Sequence, residues 1–390
     1  MLGPVSDNMR NIENFLGNSC GPLHFLIEEV YDKATMNDSL LNKSGENWRA
    51  ESVIISLVFS LIFLVGTVGN CLVLTVLLRN GQMNTKTTNL FILNLGVADL
   101  CFIVFCVPFQ ATIYTMDEWI FGPFLCKVVH FIIYLTMYAS IYTLAAVSLD
   151  RYLAIRYPLR SRKTRTPRNA LLSICMVWAL SLVFSSPYLS YYRLMDLDGT
   201  AVCIPAWHFR DRRLMDVCTF VFGYLVPVLI LSLTYARTVR HLWTTVNPVE
   251  DVAECQRAKR KVTKMIIVVA MLFCLCWLPH HLVILWMWFG HFPLNHTTYV
   301  LRVLSHLVAY ANSCLNPIVY ALASKHFRKG FRAVFDCAFT KRVGNRVHAF
   351  QMLQTFQAVQ AVSTVEAGSS EMSDLCHRSP PGGWTRKTTP

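Results

Sequence analysis

Asp150 and Arg151 stand side by side at the end of an apolar run that begins at Phe124. Two ionised groups at the foot of a membrane-length run are costly unless they are paired, so the chemistry they offer is a breakable ion pair. Asp99 lies inside a second apolar run, LNLGVADL from Leu93 to Leu100, where a buried carboxylate needs polar partners or a cation. His130, His280, His281 and His306, with Arg302, occupy a third set of positions near the ends of apolar runs. Neutral imidazoles each bring one donor and one acceptor, and a guanidinium brings donors only. That mixture suits hydrogen-bonded recognition of a polar ligand. Covalent chemistry is not indicated: no nucleophile–base pair or metal-ligand cluster stands out. His280 and His281 are adjacent, so they point about 100° apart on a helix and make a poor chelate. The expectation is a protein that is not an enzyme.

The elements that must position these residues are membrane helices. The chain is 390 residues long, 54% hydrophobic and 15% charged, against roughly 25% charged for a soluble domain. Apolar blocks long enough to cross a hydrocarbon core of about 30 Å fall near 51–78, 88–116, 123–155, 169–189, 214–242, 262–289 and 298–322. The fold class expected is an all-α membrane protein, a seven-transmembrane-helix bundle over 51–322. The net charge of +13 invites a nucleic-acid reading, but its distribution argues against one. Residues 1–50 carry four bases and seven acids. Basic residues crowd the first, third and fifth connections, from Arg79 and Lys86, through Arg156, Arg160, Arg162, Lys163, Arg165 and Arg168, to Arg237–Lys264, and again after the last block. Every second connection is basic, which places the N-terminus outside and the C-terminus in the cytosol.

Residues 1–50 are then a polar extracellular tail, without a cleaved leader, in which Asn37 and Asn42 are glycosylation acceptors. Asn295 is a third acceptor, close to the membrane. Most of the 14 cysteines lie in apolar blocks and read as small hydrophobes. Cys126 and Cys203 fall at extracellular positions, where a bridge would pin the loop 190–213 to the third helix; the alternative is two free thiols. Cys20 is also outside. Residues 323–338 form a short amphipathic helix on the cytoplasmic face, with Phe327, Phe331 and Phe335 at helical spacing between basic residues that suit membrane lipid. Cys337 follows as a palmitoylation candidate. From 339 to 390 the tail is expected to be disordered and open to phosphorylation.

Inside the blocks, Asp99 has candidate partners at similar depth in Asn70, Ser140, Asn312, Ser313 and Asn316. Together they read either as a sodium site or as a hydrogen-bonded packing network. Pro108, Pro187, Pro227, Pro279 and Pro317 lie in or near helices and mark kinks.

Asp150-Arg151-Tyr152, Cys276-Trp277-Leu278-Pro279 and Asn316-Pro317-Ile318-Val319-Tyr320 occur in this order, each on its own membrane-length block. On them the chain resembles the rhodopsin class of G-protein-coupled receptors. The resemblance implies a sodium ion at Asp99, with no other cofactor, and hinges at Pro227, Pro279 and Pro317. It implies activation roles for Trp277, Tyr235 and Tyr320, and a core relay of Ile141, Pro227 and Phe273, for which ordinary packing is the alternative. Arg151 would pair with Asp150 at rest and meet a G protein when active, with Leu159 packing on that partner. Some members complete the resting lock with an acid at the foot of the sixth helix. Here the matching residue is Lys259, so that lock is missing and basal activity is expected. An amine site needs an acid where this chain has Ile133, and a retinal site needs a lysine between Arg302 and Tyr320, where there is none.

The runs TTNLFILNLGVADLCF from Thr87, VPFQATIY from Val107, CTFVFGYLVPVL from Cys218, CWLPHHLVIL from Cys276 and SHLVAYANSCLNPIVYALASKHFRKGFR from Ser305 look like the galanin receptors. Details at Gly96–Asp99 and Arg156–Leu159 are nearer the type 2 branch. The likeness covers about 51–335. It implies galanin and spexin as ligands and Gq-class, with some Gi-class, G proteins as partners, with arrestin following tail phosphorylation. It also implies a pocket of Phe109, Gln110, Tyr114, His130, Ile133, Tyr134, His280, His281, Ile284, Tyr299, Arg302 and His306, with Trp288 alongside. Aromatic faces, imidazoles and a cation suit a peptide with aromatic side chains. A receptor for another short peptide, allatostatin- or kisspeptin-like, is the nearest alternative. A transporter or channel is the alternative class, although no repeated half is visible.

Overall fold

The computed structural model describes residues 45–79, 87–116, 118–197, 199–244, 250–293, 295–325 and 327–336. Asn37, Asn42, Cys20, Cys337 and the tail from 337 lie outside them, as does the Lys259 side chain. Six described helices are long and apolar enough to cross a membrane: Glu51–Arg79, Thr87–Thr115, Gly122–Arg156, Pro167–Tyr191, Phe209–His241 and Arg260–Phe289. A seventh, His296–Ala323, completes the bundle. Its apolar content is diluted by Arg302, His306, Asn312, Ser313 and Asn316, most of which the bundle buries. These are spans one to seven. The first helix starts earlier than the apolar block, at Gly45, because a helix need not end where the hydrocarbon does.

Local chemistry sets the ends and bends. Thr166 caps the fourth span by accepting from the Asn169 amide at 3.3 Å, with Pro167 in the first turn where no N–H is needed. Asn295 and Thr298 form a reciprocal capping box at the start of the seventh. The second span breaks at Cys106, between Thr87–Phe105 and Val107–Thr115, with Pro108 restarting the helix. The fifth widens into a π-helical turn at Val221–Leu225, just ahead of Pro227, where the missing N–H and the ring displace the ordinary helix ladder. Gly223 lies in that turn. A Cβ there would come within 2.8 Å of the Met137 Cε and 3.2 Å of Tyr138, so a larger residue would have to displace the end of Met137 and shift Tyr138 slightly where spans three and five meet.

Span three is the axis. Asn94 donates to the Thr143 hydroxyl at 2.8 Å and accepts from the Trp178 indole at 2.8 Å, tying spans two, three and four. On the outer side β1 (Tyr192–Leu197) and β2 (Thr200–Pro205) form an antiparallel hairpin, with Leu194 opposite Cys203. Cys126 and Cys203 are disulfide-bonded, with Cα atoms 5.7 Å apart, so the hairpin is fastened to the top of span three. The Trp119 amide adds a bond to the Ala201 carbonyl at 2.7 Å. The two free thiols held open above are thereby excluded. The loop 190–213 contains this hairpin, which the sequence analysis did not place, and the Asp-Gly pair at 198–199 was the available signal for it.

The bundle as far as Phe331 is one unit, and the segment from Arg332 is a second. Residues 327–336 are helical. Phe327 is buried and stacks on Tyr320, ring centres 5.3 Å apart.

Candidate functional site

Three polar centres lie along the bundle. The outermost is under the hairpin. His130 places Nδ1 2.8 Å from the Cys126 carbonyl. A carbonyl only accepts, so Nδ1 carries the hydrogen and Nε2 is the acceptor. Gln110 Nε2 lies 3.4 Å from that atom, and Gln110 Oε1 accepts from the Tyr310 hydroxyl at 3.1 Å. A one-way chain therefore runs from span seven through span two to span three. His130 also stacks on Tyr192 of β1 at 3.6 Å, and Tyr134 on Tyr188 at 3.5 Å. Burial raises the Tyr192 phenol to about 12, so it stays neutral.

The adjacent histidines of span six part company. His280 makes an edge contact with His306 at 4.6 Å, and His306 lies 6.0 Å from Tyr114. His281 turns to span five, 4.9 Å from the Tyr224 ring and 5.7 Å from Phe220, and its Nε2 is buried without a partner. Both lie over Trp277, at 6.0 and 6.3 Å, and Trp277 stacks on Phe273 at 5.8 Å. Ile133 is buried beneath His130 on the same helix. Ile284 and Tyr299 are half-buried. Phe109 packs edge-on against Phe121 at 4.9 Å, beside Trp119 in the outer connection, rather than among the imidazoles.

Two charged residues of this region were missed in the sequence. Asp216, near the outer end of span five, accepts from the Trp288 indole at 2.8 Å and the Tyr191 hydroxyl at 3.5 Å. Arg212, four residues earlier, is buried, also bonds Tyr191, and leaves its Nε unpartnered. The charged run Arg210–Asp216 at the outer mouth of the fifth block was the signal that could have found them. Tyr188, Tyr191, Tyr192 and Tyr310 were missed too; their aromatic character is common to lipid-facing and pocket-facing positions.

The middle centre surrounds Asp99. Asn316 donates to its Oδ2 at 2.7 Å, and Ser313 also hydrogen-bonds it. Asn70 donates to the Ser313 carbonyl at 2.9 Å. The Oδ1 atoms of Asn70, Asn312 and Asn316 are buried without partners. Ser140 is buried on span three. A carboxylate among several spare amide oxygens is a donor set that fits a hard monovalent cation.

The inner centre is ionic. Asp150 pairs with Arg151, and Arg165, which precedes span four, reaches the same carboxylate at 2.7 Å. The Thr87 hydroxyl donates to it at 3.0 Å. Tyr235 is buried, its hydroxyl unpartnered, within electrostatic reach of Arg151. Tyr152 packs edge-on to Tyr157 at 6.4 Å. Leu159, on the short helix Pro158–Thr164, is 88% exposed. Ile141 and Phe273 are fully buried, and Pro317 and Tyr320 are buried in span seven.

The model of the seven-transmembrane receptors of the rhodopsin family matches residues 69–320. Galanin receptor 2a of Danio rerio is 76% identical over 345 residues, 88% of this chain and 93% of that protein. Galanin receptor type 2 of Homo sapiens is 62% identical over 343 residues, covering 88% and 87%. Galanin receptor type 3 of Homo sapiens is 55% identical over 299 residues, covering 75% and 81%.

Proposed function

The chain belongs to the rhodopsin family of seven-transmembrane receptors, and within it to the galanin receptors of type 2 kind; on that premise we propose that it binds galanin and the related peptide spexin under the β1–β2 hairpin. It is a multi-pass protein of the plasma membrane and a receptor, not an enzyme. In this reading its N-terminus is extracellular, and Asn37 and Asn42 carry glycans. The observation that carries the ligand reading is a disulfide-fastened hairpin above an interior of imidazoles and phenols, with Arg302 on the opposing span. A peptide's aromatic side chains stack there, and its carbonyls find donors. The absence of an acid at Ile133 favours peptide over small amine.

Peptide binding is read inward through Trp277 and Phe273, with Ile141 and Pro227 as neighbours, to the hinges at Pro279 and Pro317. Asp99, Ser140, Asn312, Ser313 and Asn316 would hold a sodium ion, whose charge would favour the resting state. On activation the foot of span six moves outward, with Tyr235 and Tyr320 rearranging, and Arg151 leaves Asp150 for the C-terminal helix of a G protein, with Leu159 packing alongside. Coupling is mainly to the Gq class, with Gi in addition. Arrestin follows tail phosphorylation, and palmitate on Cys337 holds the last helix to the membrane.

The test is calcium and cyclic-AMP readout in transfected cells given galanin, spexin and kisspeptin. A calcium response to galanin and spexin that survives a Gi-inactivating toxin is expected. A response only to kisspeptin would reject the ligand, and one wholly lost to the toxin would reject the Gq assignment. Asp99→Asn should erase the effect of sodium on galanin affinity; retained sensitivity would remove the ion from this site.

A further inference from the structure

We propose that Arg165 is a positioning residue for Arg151, acting through the carboxylate they share; the inference rests on the coupling reading above. Arg165 Nε donates to Asp150 Oδ1 at 2.7 Å and its Nη2 to Oδ2 at 3.1 Å, a two-pronged grip. Arg151 donates to Oδ2 through Nε at 3.1 Å and through Nη2. Thr87 adds a bond to Oδ1 at 3.0 Å. A carboxylate offers about four lone-pair sites, so these five donors crowd it. Two guanidiniums also repel one another across it.

The consequence is an exchange. If Asp150 had Arg151 as its one cation, freeing Arg151 would leave a buried carboxylate unpaired, which is strongly unfavourable. With Arg165 in place the carboxylate keeps a bidentate partner and Thr87 after Arg151 has gone. Arg165 therefore lowers the cost of the active state and weakens the hold on Arg151 at rest.

Its position is set by two helix ends. Its amide closes the helix Pro158–Thr164 by donating to the Ser161 carbonyl at 2.9 Å, and the next residue, Thr166, caps span four. The short helix that carries exposed Leu159 is thus tied to Asp150 by its last turn. A partner seated on Leu159 and the departure of Arg151 are linked through one side chain.

The experiment is nucleotide exchange on a purified Gq heterotrimer by the full-length receptor in lipid nanodiscs. Arg165→Ala should lower basal exchange and raise the galanin concentration for half-maximal exchange about tenfold, while galanin affinity without G protein stays within about twofold. Arg165→Lys, which keeps the charge but not the fork, should recover part of the loss. Asp150→Asn should raise basal exchange, and adding Arg165→Ala to it should change nothing further, because both act through one bond. The inference is overturned if Arg165→Ala leaves exchange unaltered. It is equally overturned if the loss persists in the Asp150→Asn background, which would mean that Arg165 touches the G protein itself. A wild-type receptor that drives no exchange would overturn the coupling reading and this inference together, whereas the other two results leave coupling standing.

Discussion

At the outer end of the bundle, polar side chains are mostly neutral and hand hydrogen bonds from ring to ring; at the inner end, two guanidiniums share one carboxylate. His130, Gln110 and Tyr310 form a chain without a formal charge. Asp150, Arg151 and Arg165 form a cluster of three charges. Neutral hydrogen bonds contribute about 0.5–1.5 kcal/mol each and can be replaced piecemeal by a ligand's own groups. A buried ion pair is close to all or none, since removing one partner strands the other. The outer end is suited to graded recognition and the inner end to a switch. Outer substitutions should therefore change affinity and leave basal activity alone, and inner ones should do the reverse.

The largest effect is expected where the outer end is fastened. Cys126→Ser frees the hairpin from span three. Losing a native disulfide costs about 2–5 kcal/mol, and here it also unpins Tyr192 from His130. Surface binding of labelled galanin should be lost, through affinity, expression or both, as cell-surface labelling beside binding would resolve. Normal surface affinity in the mutant would show that the hairpin has no part in the site.

Next come the adjacent histidines. His280→Ala removes a ring from the His306 contact, and His281→Ala empties the space between Phe220, Tyr224 and Trp277. Each should weaken galanin about ten- to a hundredfold, as expected for about 1–3 kcal/mol, with surface expression retained. His281→Phe separates packing from recognition. If that ring only packs, Phe should restore most of the affinity. If its buried Nε2 reads the peptide, Phe should be as poor as Ala. Unchanged binding in both Ala mutants would confine the site to other spans.

The contrast between the two ends also governs what the sequence discloses. The seven spans were legible because membrane length and the alternation of basic connections are properties of long stretches, insensitive to detail. The Asp150–Arg151 pair was legible because charge at the end of an apolar run is rare. The partition of His280 toward span seven and His281 toward span five was legible only as a divergence. The side each would take depends on the rotation of span six, which packing sets. Arg165 on Asp150 was not legible at all. It is one base among six in its connection, and only the path of the short helix Pro158–Thr164 selects it. Asp216 was overlooked for the opposite reason: it sits in an apolar block that was read for its length rather than for the acid within it.

Asp216 breaks the outer end's neutrality, so it tests the comparison. Its carboxylate holds the Trp288 indole at 2.8 Å and so joins spans five and six above His281. Asp216→Ala should cost about tenfold in galanin affinity, the scale of one hydrogen bond to a charged group. Asp216→Asn, whose amide oxygen still accepts, should keep most of it. Trp288→Phe should lose less than Asp216→Ala, which also releases the Tyr191 hydroxyl, and the double mutant should be no worse than Asp216→Ala, since the Trp288 bond is already gone in it. An equal loss in Asp216→Asn would mean that the charge itself is read by the peptide. A rise in basal signalling from any of these would bring the outer carboxylate into the switch and erase the division of labour.

The smallest effect is expected for Tyr310→Phe, and it bears most directly on the neutral chain. The direction of that chain is fixed from one end. The Cys126 carbonyl can only accept, so His130 donates through Nδ1, accepts at Nε2, and orients the Gln110 amide with its oxygen toward Tyr310. Deleting the phenol hydroxyl leaves that amide oxygen buried without a donor while preserving the ring contacts with Phe102 and His306, at 5.1 and 6.0 Å. The cost is about 1 kcal/mol, near fivefold, and it should appear in galanin affinity. Gln110→Glu makes the converse change. Its ionised carboxylate could still accept from Tyr310 but could no longer donate to His130 Nε2, so two acceptors would face each other. It should be worse than Tyr310→Phe. If both leave affinity intact and instead raise basal signalling, the chain belongs with the inner cluster as part of the switch. The outer end would then no longer be a recognition surface set apart from it.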